Sequence, residues 1–115
     1  MRKRDLEIIL EGLEKQTSFD AGLEQYPTPS VIVADIMFNA YMNGDLEGLK
    51  IVDLGCGNGV FAIAASLMGA GASSGYDISE DAVGVAKRNA ENLKLNTEFF
   101  VSDVKDVTEG ADTDR

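Results

Sequence analysis

The sequence predicts an α/β fold built on a doubly wound parallel sheet. Three observations carry the prediction: short apolar runs alternate with segments of helical spacing, the order reads β-α-β-α-β from residue 49 onward, and the connections are short. At 115 residues the chain is at most one domain, near the lower end of what a single core can stabilise without staples. Residues 1–48 read as an N-terminal helical segment and residues 49–115 as the sheet-bearing core.

Residues 5–16 carry Leu6, Ile9, Leu10 and Leu13 at helical spacing with a polar opposite face, which predicts a first helix. The stretch QYPTPS interrupts the chain. Thr28 is expected as the N-cap, and Pro29 in the first turn, of a second helix that runs through SVIVADIMFNAYM and stops at Gly44. After the connector NGDLEG, the run LKIVDL (49–54) is short, apolar and partly β-branched, as expected of a strand buried on both faces. NGVFAIAASLMGAG reads as a helix rich in small residues that ends at Gly69, and ASSGYD (72–77) as a second strand. SEDAVGVAKRNAENLKL (79–95) has Ser79 as a good N-cap with Glu80 and Asp81 in the first turn. TEFFVSD (97–103) is a third strand, with Phe99 and Phe100 pointing to opposite faces. Helices are expected on both faces of the sheet.

Composition excludes several kinds of chemistry. A single cysteine, Cys56, rules out an internal disulfide. With no histidine, a zinc site has almost nothing to be built from, and a serine or cysteine nucleophile lacks its usual base. No apolar run approaches the roughly 20 residues that cross a bilayer. The start MRKRDLEIILEGLEKQ, interrupted by Asp5, Glu7, Glu11 and Glu14, does not resemble a signal peptide, so the expectation is a cytoplasmic protein with no membrane partner. Lys and Arg total 10 against 20 Asp and Glu, a net charge of −10. Arg2, Lys3, Arg4 and Lys15 balance the four early acids, so the deficit falls after Phe19. Such a surface repels polyanions and makes this chain by itself poorly suited to gripping RNA.

In parallel sheets of this kind ligands sit at the carboxyl ends of the strands. Here each end is acidic: Asp53 closes the first strand, Asp77 the second and Asp103 the third. Between Asp53 and the next helix lies the loop DLGCGNG. The dinucleotide fingerprint needs a third glycine where Val60 stands, and the glycine arrives one residue early at Gly59. A Walker loop needs Gly-Lys-Ser/Thr, and no lysine occurs between Lys50 and Lys87. What remains, D-x-G-x-G-x-G with acids ending the next two strands, suits a ligand that is cationic at one end and carries ribose hydroxyls and an adenine amine at the other.

S-adenosylmethionine meets that description. Backbone N–H groups of the loop and the helix start, across Gly55, Gly57, Asn58 and Val60, can take its carboxylate, with Asp53 near the ammonium. Asp77 can accept both ribose hydroxyls. Asp103 can accept from the adenine amine while Ile78 and Val104 form apolar walls for the ring.

Residues 49–104 resemble the class I, Rossmann-like S-adenosylmethionine-dependent methyltransferases: VDLGCGNG resembles their first motif, GYDIS their second and SDV their third. Upstream, LEQYPTPSVIVADIM resembles the segment before the first motif in archaeal and eukaryotic RNA methylases that modify the exocyclic amine of adenine. The resemblance implies that Gln25 and Thr28, with Tyr26 as a neighbour, help to close over the cofactor. It also implies that Cys56 is a small packed residue and not a nucleophile. In that subfamily catalysis depends on an Asn-Pro-Pro-aromatic motif after a fourth strand, and no such motif occurs in this sequence. The catalytic residues are therefore unassigned, and the expectation is a cofactor-binding half of a longer enzyme.

The sheet order of this class puts the first strand in the middle, so here 49–54 is expected to have one unpaired edge. That edge invites pairing with another chain, and the isolated chain is expected to be marginal or oligomeric. Strand 97–103 would be the outer edge, which related enzymes use to pair with a small zinc-binding activator protein. Three alternatives stand beside RNA adenine methylation. They are a methyltransferase of the same fold acting on protein glutamine or a small molecule, a non-catalytic cofactor-binding module, and a nicotinamide-dependent dehydrogenase.

Overall fold

The computed structural model describes residues 1–15 and 28–103. Its first helix, α1 (Lys3–Glu11), begins where the Asp5 carboxylate accepts the Arg2 N–H at 3.1 Å. It stops at Gly12, short of the expected end, because glycine is a poor helix former. Leu13 remains buried just past the end, so the apolar spacing outlasts the helix itself.

Helix α2 (Ser30–Met42) differs from expectation at its start. Pro29, with ψ 140, is the last non-helical residue, and its carbonyl accepts the N–H groups of Ile32 and Val33 at 3.0 and 3.2 Å. Proline fixes φ but leaves ψ free, so it serves as the N-cap here, and Thr28 lies exposed one residue further out. A helix apolar on every side is normally surrounded. Here Val33 and Ala34 are buried, while Val31, Ile32 and Ile36 stay about half exposed.

Strands β1 (Lys50–Leu54), β2 (Ala72–Asp77) and β3 (Glu98–Val101) form a parallel sheet in the order β1-β2-β3. In register, Asp53 lies beside Gly75, and Gly75 beside Phe99. Helices α3 (Val60–Leu67) and α4 (Glu80–Asn92) make the crossovers, the first touching β1 and β2, the second β2 and β3. Right-handed crossovers that step the same way along a sheet put both helices on one face. The α/β class and the strand order are therefore as expected, and within the described residues the helices cover one face.

That face holds the core. Ala62, Ile63, Ala64 and Ala65 of α3 are fully buried between the sheet and the α1–α2 pair. Phe99 is buried beneath α4, whereas Phe100 on the other face is 41% exposed and stacks on Tyr76 with ring centroids 5.1 Å apart. Val52 and Leu54 share that second face and are each 44% exposed. The expectation that this strand is buried on both faces is thus not met: Ile51 and Asp53 on the helix-covered face are half-buried, and the other face is open among the described residues. Among the described residues β1 also pairs only with β2, and no helix is long and apolar enough to cross a membrane.

Helix α4 keeps its predicted cap, the Ser79 hydroxyl accepting the Ala82 N–H at 3.2 Å. It ends earlier than the apolar pattern suggests. The N–H groups of Lys94 and Leu95 fold back to the Glu91 and Ala90 carbonyls at 3.0 and 2.9 Å, with Lys94 left-handed at φ 57. That closing turn frees residues 93–97 to bring the chain back to β3.

Candidate functional site

The glycine loop is held by the strand beside it. The Gly55 and Cys56 N–H groups both donate to the Tyr76 carbonyl, at 2.7 and 2.9 Å. Gly57 donates to Asp77 Oδ2 at 2.9 Å, and Gly59 to the Cys56 carbonyl at 2.9 Å. Four of the loop's N–H groups are thus committed inside the protein. The donors left for a ligand carboxylate among the described residues are the Asn58 N–H and those of the first turn of α3, which begins at Val60.

Asp77 is buried at the end of β2, and its second oxygen accepts the Ser79 N–H at 2.9 Å. One carboxylate therefore ties the loop to the start of α4. Each of its oxygens keeps a second lone pair, which is what acceptance from two ribose hydroxyls requires. Asp53 lies one strand over. Burial, reinforced by the neighbouring Asp77 charge, pushes its carboxyl up to about 6. Neither Asp53 nor Asp77 joins an ion pair among the described residues, where the pairs formed are Arg2–Asp5, Lys3–Asp35, Arg4–Glu7 and Arg88–Glu14. Two adjacent carboxylates with no cation paired to them among the described residues fit a ligand that brings its own positive charge.

Beyond β3, the Ser102 N–H donates to the Asp77 carbonyl at 2.9 Å, which extends the pairing and brings Asp103 to the same sheet edge. Ile78 is 63% exposed beside Asp77, which leaves its side chain open to a flat apolar ligand at this edge. Thr28 is exposed just before α2. Gln25, Tyr26 and Val104 lie outside the described residues. Cys56 is buried, and burial with the Asp53 and Asp77 charges pushes its thiol up to about 12, the behaviour of a packed residue and not of a nucleophile. No group of three or more His, Cys, Asp or Glu among the described residues could hold a metal ion.

Two features escaped the sequence reading. Gly59 sits at φ 87, and a Cβ there would lie 2.7 Å from the Phe99 ring and 3.0 Å from Ala86 Cβ, so the early glycine lets the loop pack on β3 and α4. Asn58 turns its side chain away from the sheet edge, donating to the Glu14 carbonyl at 3.1 Å. Glu14, Asn58 and Asn89 come from separate segments, so no spacing signals the contact. The one available hint is Asn89 itself, a polar residue on the otherwise apolar stripe Ala82, Val85, Ala86 and Ala90.

A parallel sheet with this acidic edge and a D-x-G-x-G-x-G loop defines the Rossmann-like class of S-adenosylmethionine-dependent methyltransferases. Comparison with known families agrees. The chain belongs to the ribosomal protein L11 methyltransferase (PrmA) family, whose model matches residues 23–114. It is 33% identical over 96 residues to the rRNA N(6)-adenosine-methyltransferase METTL5 of Danio rerio, covering 83% of this chain and 46% of that protein. The crystal structure of PH1948 from Pyrococcus horikoshii, a candidate RNA methyltransferase, superposes with a TM-score of 0.82 at 34% identity, covering 90% of this chain and 51% of that one. An RNA methyltransferase from Salinibacter ruber, solved with S-adenosyl-L-homocysteine, superposes with a TM-score of 0.60 at 29% identity, covering 69% and 51%. The chain spans about half the length of the curated relatives it matches.

Proposed function

We propose that the protein is a cytoplasmic S-adenosylmethionine-dependent methyltransferase acting on the exocyclic amine of adenine in structured ribosomal RNA, and that this chain supplies its cofactor-binding part. The observation that carries the cofactor reading is the Asp53–Asp77 pair beside the glycine loop, with the Asp53 carboxyl raised to about 6 by burial and by the Asp77 charge. When bound, the cofactor supplies an electrophilic methyl group. This chain's task is to position it.

In this reading Asp53 faces the ammonium and the first turn of α3 faces the carboxylate. Asp77 takes the ribose hydroxyls through its remaining lone pairs. The adenine lies between Ile78 and Val104 with its amine toward Asp103, and Gln25, Tyr26 and Thr28 close over it. The acceptor reading rests on the likeness to METTL5. A net charge of −10 means that the grip on RNA phosphates comes from outside this chain, from the rest of a longer protein or from a partner. We read the outer edge at 97–103 as the docking edge for a small zinc-binding activator, and the edge of strand 49–54 as one that pairs with another chain.

A second acceptor is favoured by the family model itself, which describes methyltransferases of ribosomal protein L11. Transfer of labelled methyl from S-adenosylmethionine separates the two. Label recovered as N6-methyladenosine from ribosomal RNA is the expected result. Label recovered on a ribosomal protein would replace the RNA reading with the protein one.

A further inference from the structure

Asn89 lies on α4 with 2% of its surface exposed, and its amide is fully engaged with two other segments. Its Oδ1 accepts the Glu14 N–H at 2.8 Å. Its Nδ2 donates to the Glu14 carbonyl at 2.9 Å and to the Asn58 carbonyl at 3.0 Å. The Asn58 side chain closes the triangle by donating to the same Glu14 carbonyl at 3.1 Å. Outside it, Arg88 grips the Glu14 carboxylate with two bonds of 3.0 and 2.6 Å.

Its neighbours on the stripe are apolar, but an apolar residue here would strip the Glu14 N–H and the Asn58 carbonyl of this partner. A buried amide that meets both backbone groups of one distant residue, and one of another, specifies a single arrangement of three segments. One of those segments is the cofactor loop, because Asn58 stands between Gly57 and Gly59. We propose that Asn89 is a positioning residue for the cofactor's amino-acid end: through Asn58 it fixes the loop that leads into α3, with Glu14 and Arg88 bracing it from the N-terminal side. The proposal rests on the cofactor reading above.

The loop serves the amino-acid end, whereas Asp77 and Ile78 serve the ribose and adenine. The inference therefore predicts a loss that is larger for ligands carrying the amino-acid end, with only a small part passed to the nucleoside side through the Gly57–Asp77 bond. The probes are S-adenosylhomocysteine and 5′-deoxy-5′-methylthioadenosine, which keeps the nucleoside and lacks the amino acid. Asn89→Asp retains the acceptor for the Glu14 N–H and sets an oxygen against the Asn58 and Glu14 carbonyls. It should weaken S-adenosylhomocysteine about tenfold while changing methylthioadenosine less than about twofold. Arg88→Ala alters only a half-exposed pair and leaves the core intact. It should give the same selective loss at about two- to threefold. Equal loss for both ligands in these variants, or none for either, would overturn the inference while leaving the cofactor reading standing. Failure of the unaltered protein to bind S-adenosylhomocysteine would overturn both.

Discussion

Replacing Asp53 by Asn should stabilise the ligand-free protein at pH 8 and weaken its hold on S-adenosylhomocysteine. Asp53 titrates near 6 in the folded state against an ordinary 3.8, because burial and the Asp77 charge disfavour its anion. An acid whose folded value is raised adds stability below its unfolded value and loses that contribution as pH climbs through the folded value. Above about pH 6 the ionised side chain thus costs the fold, by about 1 to 3 kcal/mol after allowing for partial exposure. The Asn variant escapes this cost, so its advantage should be full at pH 8 and vanish near pH 4. Binding moves the other way. The anion is the form that pairs with an ammonium, so affinity in the unaltered protein should fall as pH drops below about 6, and the variant should lose about 1.5 to 3 kcal/mol at pH 8. Urea unfolding and calorimetric titration at the two pH values check both halves. A variant less stable than the parent at pH 8 would contradict the assignment of strain to this carboxylate.

Gly59→Ala should be among the most damaging single-methyl changes in the chain. The residue sits at φ 87, where a side chain costs about 1 to 2 kcal/mol. Its new Cβ would meet the buried Phe99 ring at 2.7 Å, and overpacking of that kind adds about 1 to 3 kcal/mol. The loop, β3 and α4 converge there, so relief would have to move the cofactor loop itself. A fall of about 2 to 4 kcal/mol in unfolding free energy is expected from urea titration. Stability unchanged within error would show that the loop does not pack on Phe99 as described.

These two residues mark what was legible in the sequence and what was not. Asp53, Asp77 and Asp103 could be assigned to one edge because a parallel sheet forces strand ends together, whatever the side chains do. Ser79 was legible because a cap acts within one turn. Gly59 was visible as the last glycine of the loop pattern but its packing role was not, since its reason lies in Phe99, far along the chain and adjacent only after β3 has paired. The Glu14–Asn58–Asn89 contact was likewise beyond periodicity, which reports whether a position is covered and not by what. Thr28 was misplaced by one residue because a proline's fixed φ suits either the cap or the first helical position, and ψ decides between them. The run 49–54 suggested burial on both faces. Its composition records what the strand can be covered by, and within the described residues only one face is covered.

In the proposed reading, the acidic strand ends and the glycine loop form a site for S-adenosylmethionine and not for a phosphate-rich dinucleotide. Calorimetric titration of the protein with S-adenosylhomocysteine and, separately, with NADH tests it most directly. Saturable binding of S-adenosylhomocysteine, and none of NADH in the same range, is the expected result. Preferential binding of NADH would contradict it.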